Sequence, residues 1–196
     1  MIEASSPSSA HDQAKIFRMV LEAMSHPGRI VDFKVPLLTL PLGISSEMAA
    51  LVFTLCDFQT PICMKSKTPE IEKFVKFHTG AAFADAVSSA TFIVADTKDK
   101  LSPFEDFAQG THDYPDRSST LLIQVEAITN SGNVALMGPG IAGQTFLNIK
   151  KLDMMFWEGL HANHAQYPLG VDVIFVTQGK IAAIPRSTHI QIMAQD

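Results

Sequence analysis

The chain is poor in cysteine, in charge and in aromatic rings, and each shortage narrows what it does. Only two of its 196 residues are cysteines. Cys56 and Cys63 each lie inside an apolar run, so they read as core filling in a reducing compartment; two thiols cannot staple a chain of this length. Charged residues make up 18% and apolar residues 46%, a core-forming composition that excludes disorder. The net charge of −5 excludes the basic surface that nucleic-acid binders usually carry. The first ten residues, MIEASSPSSA, hold neither a basic stretch nor an apolar segment, so no secretory signal is expected there. No run approaches the ~20 apolar residues of a membrane span. Internal repeats and low-complexity runs are missing as well. The expectation is a soluble, cytoplasmic protein: a flexible tail over residues 1–11, then one domain over 12–196.

What is present has clear periods. Ile16, Phe17, Val20, Leu21 and Met24 recur at helical spacing from Asp12 onward, and His26-Pro27-Gly28 ends that helix. An extended run follows over 30–35. Ser45 or Ser46 caps a helix over 47–55 that is apolar on nearly every side, so it is enclosed on both faces or sits against a partner. A short strand is expected over 60–64. Thr68-Pro69-Glu70 opens a helix running to about Phe77 and ending before Gly80, with a capping hydroxyl, a first-turn proline and an acid near the dipole's positive end. A buried strand is expected over 90–95, then loop over 99–119. Residues 120–128 and 134–137 read as a hairpin about Asn130-Ser131-Gly132-Asn133, and 153–163 as a helix holding the only tryptophan, Trp157. Residues 171–177 and 181–184 form a last hairpin. Early helices and late hairpins predict an α/β fold, one mixed sheet with helices packed on it.

The chemistry is harder to read. Gly138-Pro139-Gly140-Ile141-Ala142-Gly143 spells G-x-G-x-x-G, but no helix follows it, so dinucleotide binding is rejected. His161 and His164 share a helix face, yet no third ligand lies near in sequence, so no metal is expected. No nucleophile elbow or Walker sequence occurs. Three weak catalytic candidates remain, each with a structural alternative. Asp57 is a turn residue after an apolar helix, or an acid. His78 stabilises a helix C-terminus, or binds a ligand. Arg186 pairs with Asp172 across the last hairpin through a three-residue loop over 178–180, or holds an anion.

The order of short motifs along the chain narrows the reading. Phe17-Arg18, Met24-Ser25-His26-Pro27-Gly28, Asp57 with Thr60-Pro61, and Phe77-His78-Thr79 come first. Gly110, Pro115, Thr120, Gly138-Pro139-Gly140-Ile141, Pro168-Leu169-Gly170-Val171-Asp172 and Pro185-Arg186 follow. This series, from about residue 12 to 190, resembles the H subunit (PhnH) family of the bacterial carbon–phosphorus lyase machinery. The chain departs from it at Cys63, where relatives can place tryptophan, and at Ala82, where they can place proline. The resemblance implies a three-layer α/β/α domain similar to the large domain of pyridoxal-phosphate-dependent transferases, without that cofactor. It also implies a homodimer that works with the G, I, J and L subunits. Their transferase step replaces the adenine of ATP with an alkylphosphonate, giving a ribose 1-phosphonate 5-triphosphate. It transfers no catalytic residue. Two other classes stay open: a non-catalytic interaction module, and a stand-alone pyridoxal-phosphate enzyme, for which Lys150-Lys151 is the nearest lysine candidate. With four arginines scattered along an acidic chain, the isolated protein is expected to be catalytically silent.

Overall fold

The computed structural model describes residues 10–36, 39–101 and 103–193. Helix α1 (Ala10–Ser25) begins two residues before the expected start; the rest of the predicted tail, 1–9, lies outside the described residues. Its buried face is narrower than the spacing predicts. Ile16, Val20 and Ala23 are buried, while Phe17 and Leu21 remain 45% and 50% exposed. The extended run over 30–35 yields only a two-residue strand, β1 (Val31–Asp32).

Helix α2 (Ser46–Leu55) is capped by Ser45, whose hydroxyl accepts the Met48 N–H at 3.1 Å. All six residues from Met48 to Phe53 are buried by the same chain, between α1, the sheet and the next helix, so α2 offers no free apolar face. Strand β2 (Ile62–Met64) leads to α3 (Pro69–Thr79), capped by Thr68 and closed by Gly80 at φ 71°. The helix thus ends before Gly80, as the sequence predicts, with Gly80 as its left-handed stop. Strand β3 (Phe92–Asp96) comes next. The expected loop over 99–119 holds two 3-10 turns, Phe104–Asp106 and Pro115–Arg117.

The second half then departs from the prediction. Strand β4 (Thr120–Gln124) forms no hairpin with β6 (Val134–Met137). It lies instead in a six-stranded sheet of order β1-β10-β9-β4-β3-β2, parallel to β3 and to β9 (Asp172–Thr177). Strand β10 (Lys180–Ile184) and β1 complete the sheet antiparallel. The reason is burial: Leu121, Leu122 and Ile123 are all fully buried, as a central parallel strand requires, whereas a hairpin with one wet face would alternate. Strand β6 pairs with β7 (Thr145–Phe146) and β11 (His189–Ile192), and β5 (Ile128–Thr129) pairs with β8 (Asn148–Ile149).

The sheet is covered on both faces. Leu122, Ile174, Val176 and Ile181 point to the core under α1, α2 and α3. Their neighbours Leu121, Ile123, Val173 and Phe175 point to the other core, under the small sheets and α4 (Met154–His164). The Phe156 and Trp157 rings of α4 lie 6.1 and 6.3 Å from the Phe175 ring. The last hairpin turns through two residues, Gln178 and Gly179, not the predicted three, so its pairing shifts by one position. Gly179 takes φ 69°, which a two-residue hairpin turn demands.

Candidate functional site: a cleft between two glycine loops

Two motifs more than a hundred residues apart meet at one place. The first is the turn that ends α1. Its His26 N–H still bonds to Glu22 O at 3.1 Å, and Gly28, at φ 77°, donates to Ala183 O at 3.1 Å. The second leaves β6, where Ile141 N–H closes a turn on Gly138 O at 3.1 Å. Contact between them is as close as backbone allows. A Cβ on Gly140 would stand 2.2 Å from Ser25 O and 2.9 Å from Pro27 Cδ. A Cβ on Gly28 would stand 2.7 Å from Leu136 Cδ1 and 2.8 Å from Thr145 Cγ2. Gly140 is therefore needed for the first turn's sake, and Gly28 makes room for the side chains of Leu136 and Thr145 that flank the second. Asn130 stitches the seam, donating from Nδ2 to Gly28 O at 2.8 Å and to Phe146 O at 2.9 Å.

An open cleft of about 380 Å³ runs along this seam. His26, Arg29, Asn130, Gln144 and Thr145 line it with the backbone of Gly140, Ile141 and Ala142, and no carboxylate is among the lining residues. Arg29 reaches Glu22 only at 3.8 Å, with both side chains about half exposed, a contact worth under ~1 kcal/mol that leaves the guanidinium available. His26 Nδ1 lies 3.0 Å from Ser25 Oγ and 3.2 Å from Glu22 O. A carbonyl only accepts, so Nδ1 carries the proton and Nε2 presents its lone pair. Cationic and amide groups without an acid suit the oxygens of a small anion. The sequence reading singled out neither Arg29 nor Asn130, since a lone arginine after a turn and a lone asparagine in one carry no local signal.

The predicted candidates are elsewhere and apart. Asp57 is exposed and makes a turn: its Oδ1 accepts from Gln59 N–H at 2.8 Å and from Thr60 Oγ1 at 3.2 Å. His78 packs its ring against Phe53, Phe74 and Phe77, at centroid distances of 4.8, 4.6 and 5.1 Å. Its Nε2 is buried without a hydrogen-bond partner, and burial lowers its pKa below the usual imidazole value. Asp57 and His78 lead into the β2 edge, whereas Arg186 adjoins β9, three strand spacings or about 14 Å away. They form no common site.

Arg186 is occupied. Its Nε and Nη2 grip the two oxygens of Asp172 at 3.1 and 2.5 Å, its Nη1 donates to Pro115 O at 2.7 Å, and both side chains are 15% exposed. His161 and His164 donate from Nδ1 to Ile190 O (2.7 Å) and Arg186 O (3.1 Å), tying α4 to β11. Among the described residues no three His, Cys, Asp or Glu side chains gather to hold a metal. Cys56 and Cys63 are buried, and desolvation together with the nearby Asp57 charge pushes the Cys56 thiol up.

A family model described as "Bacterial phosphonate metabolism protein (PhnH)" matches residues 5–191. The chain belongs to the PhnH family. The matched span encloses both loops of the cleft and the Asp172–Arg186 pair. One relative is the alpha-D-ribose 1-methylphosphonate 5-triphosphate synthase subunit PhnH of Rhizobium meliloti (strain 1021). It is 33% identical over 184 residues, which cover 90% of this chain and 88% of that protein. A second, from Stutzerimonas stutzeri, bears the name "Putative C-P lyase subunit protein HtxG". It is 28% identical over 182 residues, 92% of this chain and 86% of its own length. The two motif loops that pack as the cleft thus lie inside a span shared with PhnH proteins, although they are far apart in the chain. No described helix is long and apolar enough to cross a membrane.

Proposed function

We propose that this chain is a subunit of the bacterial carbon–phosphorus lyase system. It acts with the G, I, J and L subunits to form a ribose 1-phosphonate 5-triphosphate from ATP and an alkylphosphonate, releasing adenine. The observation that carries the reading is similarity along nearly the whole chain, at 33% identity, to a synthase subunit of that description. In this reading the chain is a cytoplasmic homodimer, with the exposed Phe17 and Leu21 of α1 as the apolar surface available to a second copy. Its covered mixed sheet is compatible with kinship to the large domain of pyridoxal-phosphate transferases.

The cleft supplies the chemistry that such a subunit contributes. Bringing phosphonate to a nucleotide sets two anions together, and fixed cations and donors offset their repulsion. Arg29 supplies positive charge, Gln144 and Thr145 supply donors, and no acid in the lining opposes them. The cleft holds no nucleophile–base pair, so this chain positions and completes, while partner subunits carry the bond-breaking groups. The stand-alone pyridoxal-phosphate reading fits poorly. A Schiff-base lysine must lose its proton, yet Lys150 and Lys151 are exposed and ion-paired to Glu126 at 2.6 and 2.9 Å, which raises the Lys151 pKa.

The test is reconstitution. Adenine release from ATP and methylphosphonate is measured with the partner subunits, with and without this chain. Release that requires the chain, together with its co-purification with those subunits, supports the reading. Equal release without it leaves an interaction module at most, and release by the pure chain alone overturns the accessory role.

A further inference from the structure

A second cleft, remote from the glycine loops in sequence, lies beyond the carboxyl end of β3. In parallel sheets ligands bind outside the carboxyl ends of the strands, so its place is itself informative. Its volume is about 420 Å³, within the range of small-molecule sites. The floor is aromatic. Phe104 and Phe156 are 8% and 7% exposed, with ring centroids 5.2 Å apart at 63°. Gly159 makes that floor: its missing Cβ would stand 2.7 Å from Phe104 Cδ2, so the ring settles against bare helix backbone. A mid-helix glycine is unfavourable unless something needs the space. Met155, 78% exposed, offers a thioether at the rim, a group that packs well on aromatic rings. Lys151, in the wall, is held at φ 66°, a conformation that non-glycine residues rarely adopt and that concentrates at ligand sites.

The charges in the lining are mostly committed to other partners. Asp99 accepts from Ser66 and from Asp96 N–H, Asp153 caps α4 through Phe156 N–H at 2.9 Å, and Lys151 pairs with Glu126. One cation and one anion remain without partners among the described residues, Lys100 and Glu105. We propose that this cleft is a binding site for a flat aromatic molecule that carries both an amine and an anionic group. The ring lies on Phe104 and Phe156, the anion meets Lys100 and the amine donates to Glu105. An aminopurine nucleotide and an aromatic amino acid share this chemistry. The proposal does not rest on the anion cleft or on the lyase assignment.

The purified full chain is titrated with AMP, L-phenylalanine and inorganic phosphate, by calorimetry and by NMR of methyl-labelled methionine. The expected result is binding of AMP or L-phenylalanine at a Kd of about 1 mM or tighter. The Met155 methyl signal moves with it, and phosphate alone leaves that signal in place. Which ligand binds tells the two sources apart. Lys100→Glu and Glu105→Gln, both at exposed positions, each weaken the binding that the Met155 signal reports by about fivefold. No binding at millimolar ligand overturns the proposal. So does binding without a Met155 shift, or binding that both cleft variants retain at wild-type strength.

Discussion

Arg186 holds Asp172 from two sides although the two residues are not register partners. The two-residue turn aligns Ile184 with Val173, so the strand pairing carried one step further would set Pro185, not Arg186, against Asp172. The backbone closes the gap: Arg186 N–H donates to Asp172 Oδ1 at 2.8 Å while the guanidinium takes both oxygens. The pair is thus a clamp at the open end of the hairpin that also draws in Pro115.

Arg186→Ala is expected to destabilise the fold by about 3 kcal/mol, because it leaves a mostly buried carboxylate without its partner. Asp172→Ala should cost a similar amount, and the double variant less than the sum of the two. Urea denaturation of the four proteins checks this. Strict additivity would contradict the clamp.

Two glycine substitutions should differ sharply. Gly140→Ala forces a methyl group into the Ser25 carbonyl at a positive φ, and a loss above about 3 kcal/mol is expected. Gly179→Ala meets nothing within 4 Å and should cost only the left-handed backbone penalty, about 1 kcal/mol. Thermal melts of both variants compare them directly.

His78 predicts an acid limb. Its pKa is lower folded than unfolded, so above about pH 6.5 both states are neutral and it adds nothing to the pH dependence. As pH falls through that value the unfolded chain takes up a proton that the native ring resists, and stability drops. His78→Phe, which also removes the unpartnered Nε2 from its phenylalanine cage, should flatten the stability profile between about pH 5 and 7. A profile as steep as the parent's would show that the slope arises elsewhere.

Glu126 should stay ionised well into acid. Hydrogen bonds from Lys150 and Lys151 pull its pKa down to about 2. The group lies at the surface, so molar salt should return it toward the ordinary carboxylate range. Side-chain carbon NMR titrations at low and high salt read this shift.

The parts of the fold that were legible in the sequence are those decided locally. Ser45, Thr68, Pro69 and Gly80 cap or stop helices through bonds that span three or four residues, so their letters suffice. Strand partners are decided at a distance. Thr120-Leu121-Leu122-Ile123-Gln124 looks like half of a hairpin beside a turn sequence, yet its unbroken apolar centre already marks a strand covered on both faces. The cleft was legible only in pieces. Each glycine turn is visible as a motif, but the clash that a Cβ on Gly140 would make with Ser25 O exists only once the 114 intervening residues have folded. His78 misled for the opposite reason: a histidine at a helix end reads the same whether its ring meets water or three phenylalanines.

The pairing of β1 with β10 has a consequence for how the protein is made. Val31 waits for Ile181, and α1 packs against that same late strand. On the ribosome, the first helix can meet α2 early, but its packing on β10 and the bond from Gly28 N–H to Ala183 O wait until nearly the whole chain has emerged, while β2, β3 and β4 can already associate in order. The anion cleft is accordingly assembled last. Truncation anywhere before residue 180 leaves α1, with its apolar stripe, without the strand that shelters it, so incomplete chains should be cleared or captured by chaperones rather than accumulate as half-working subunits.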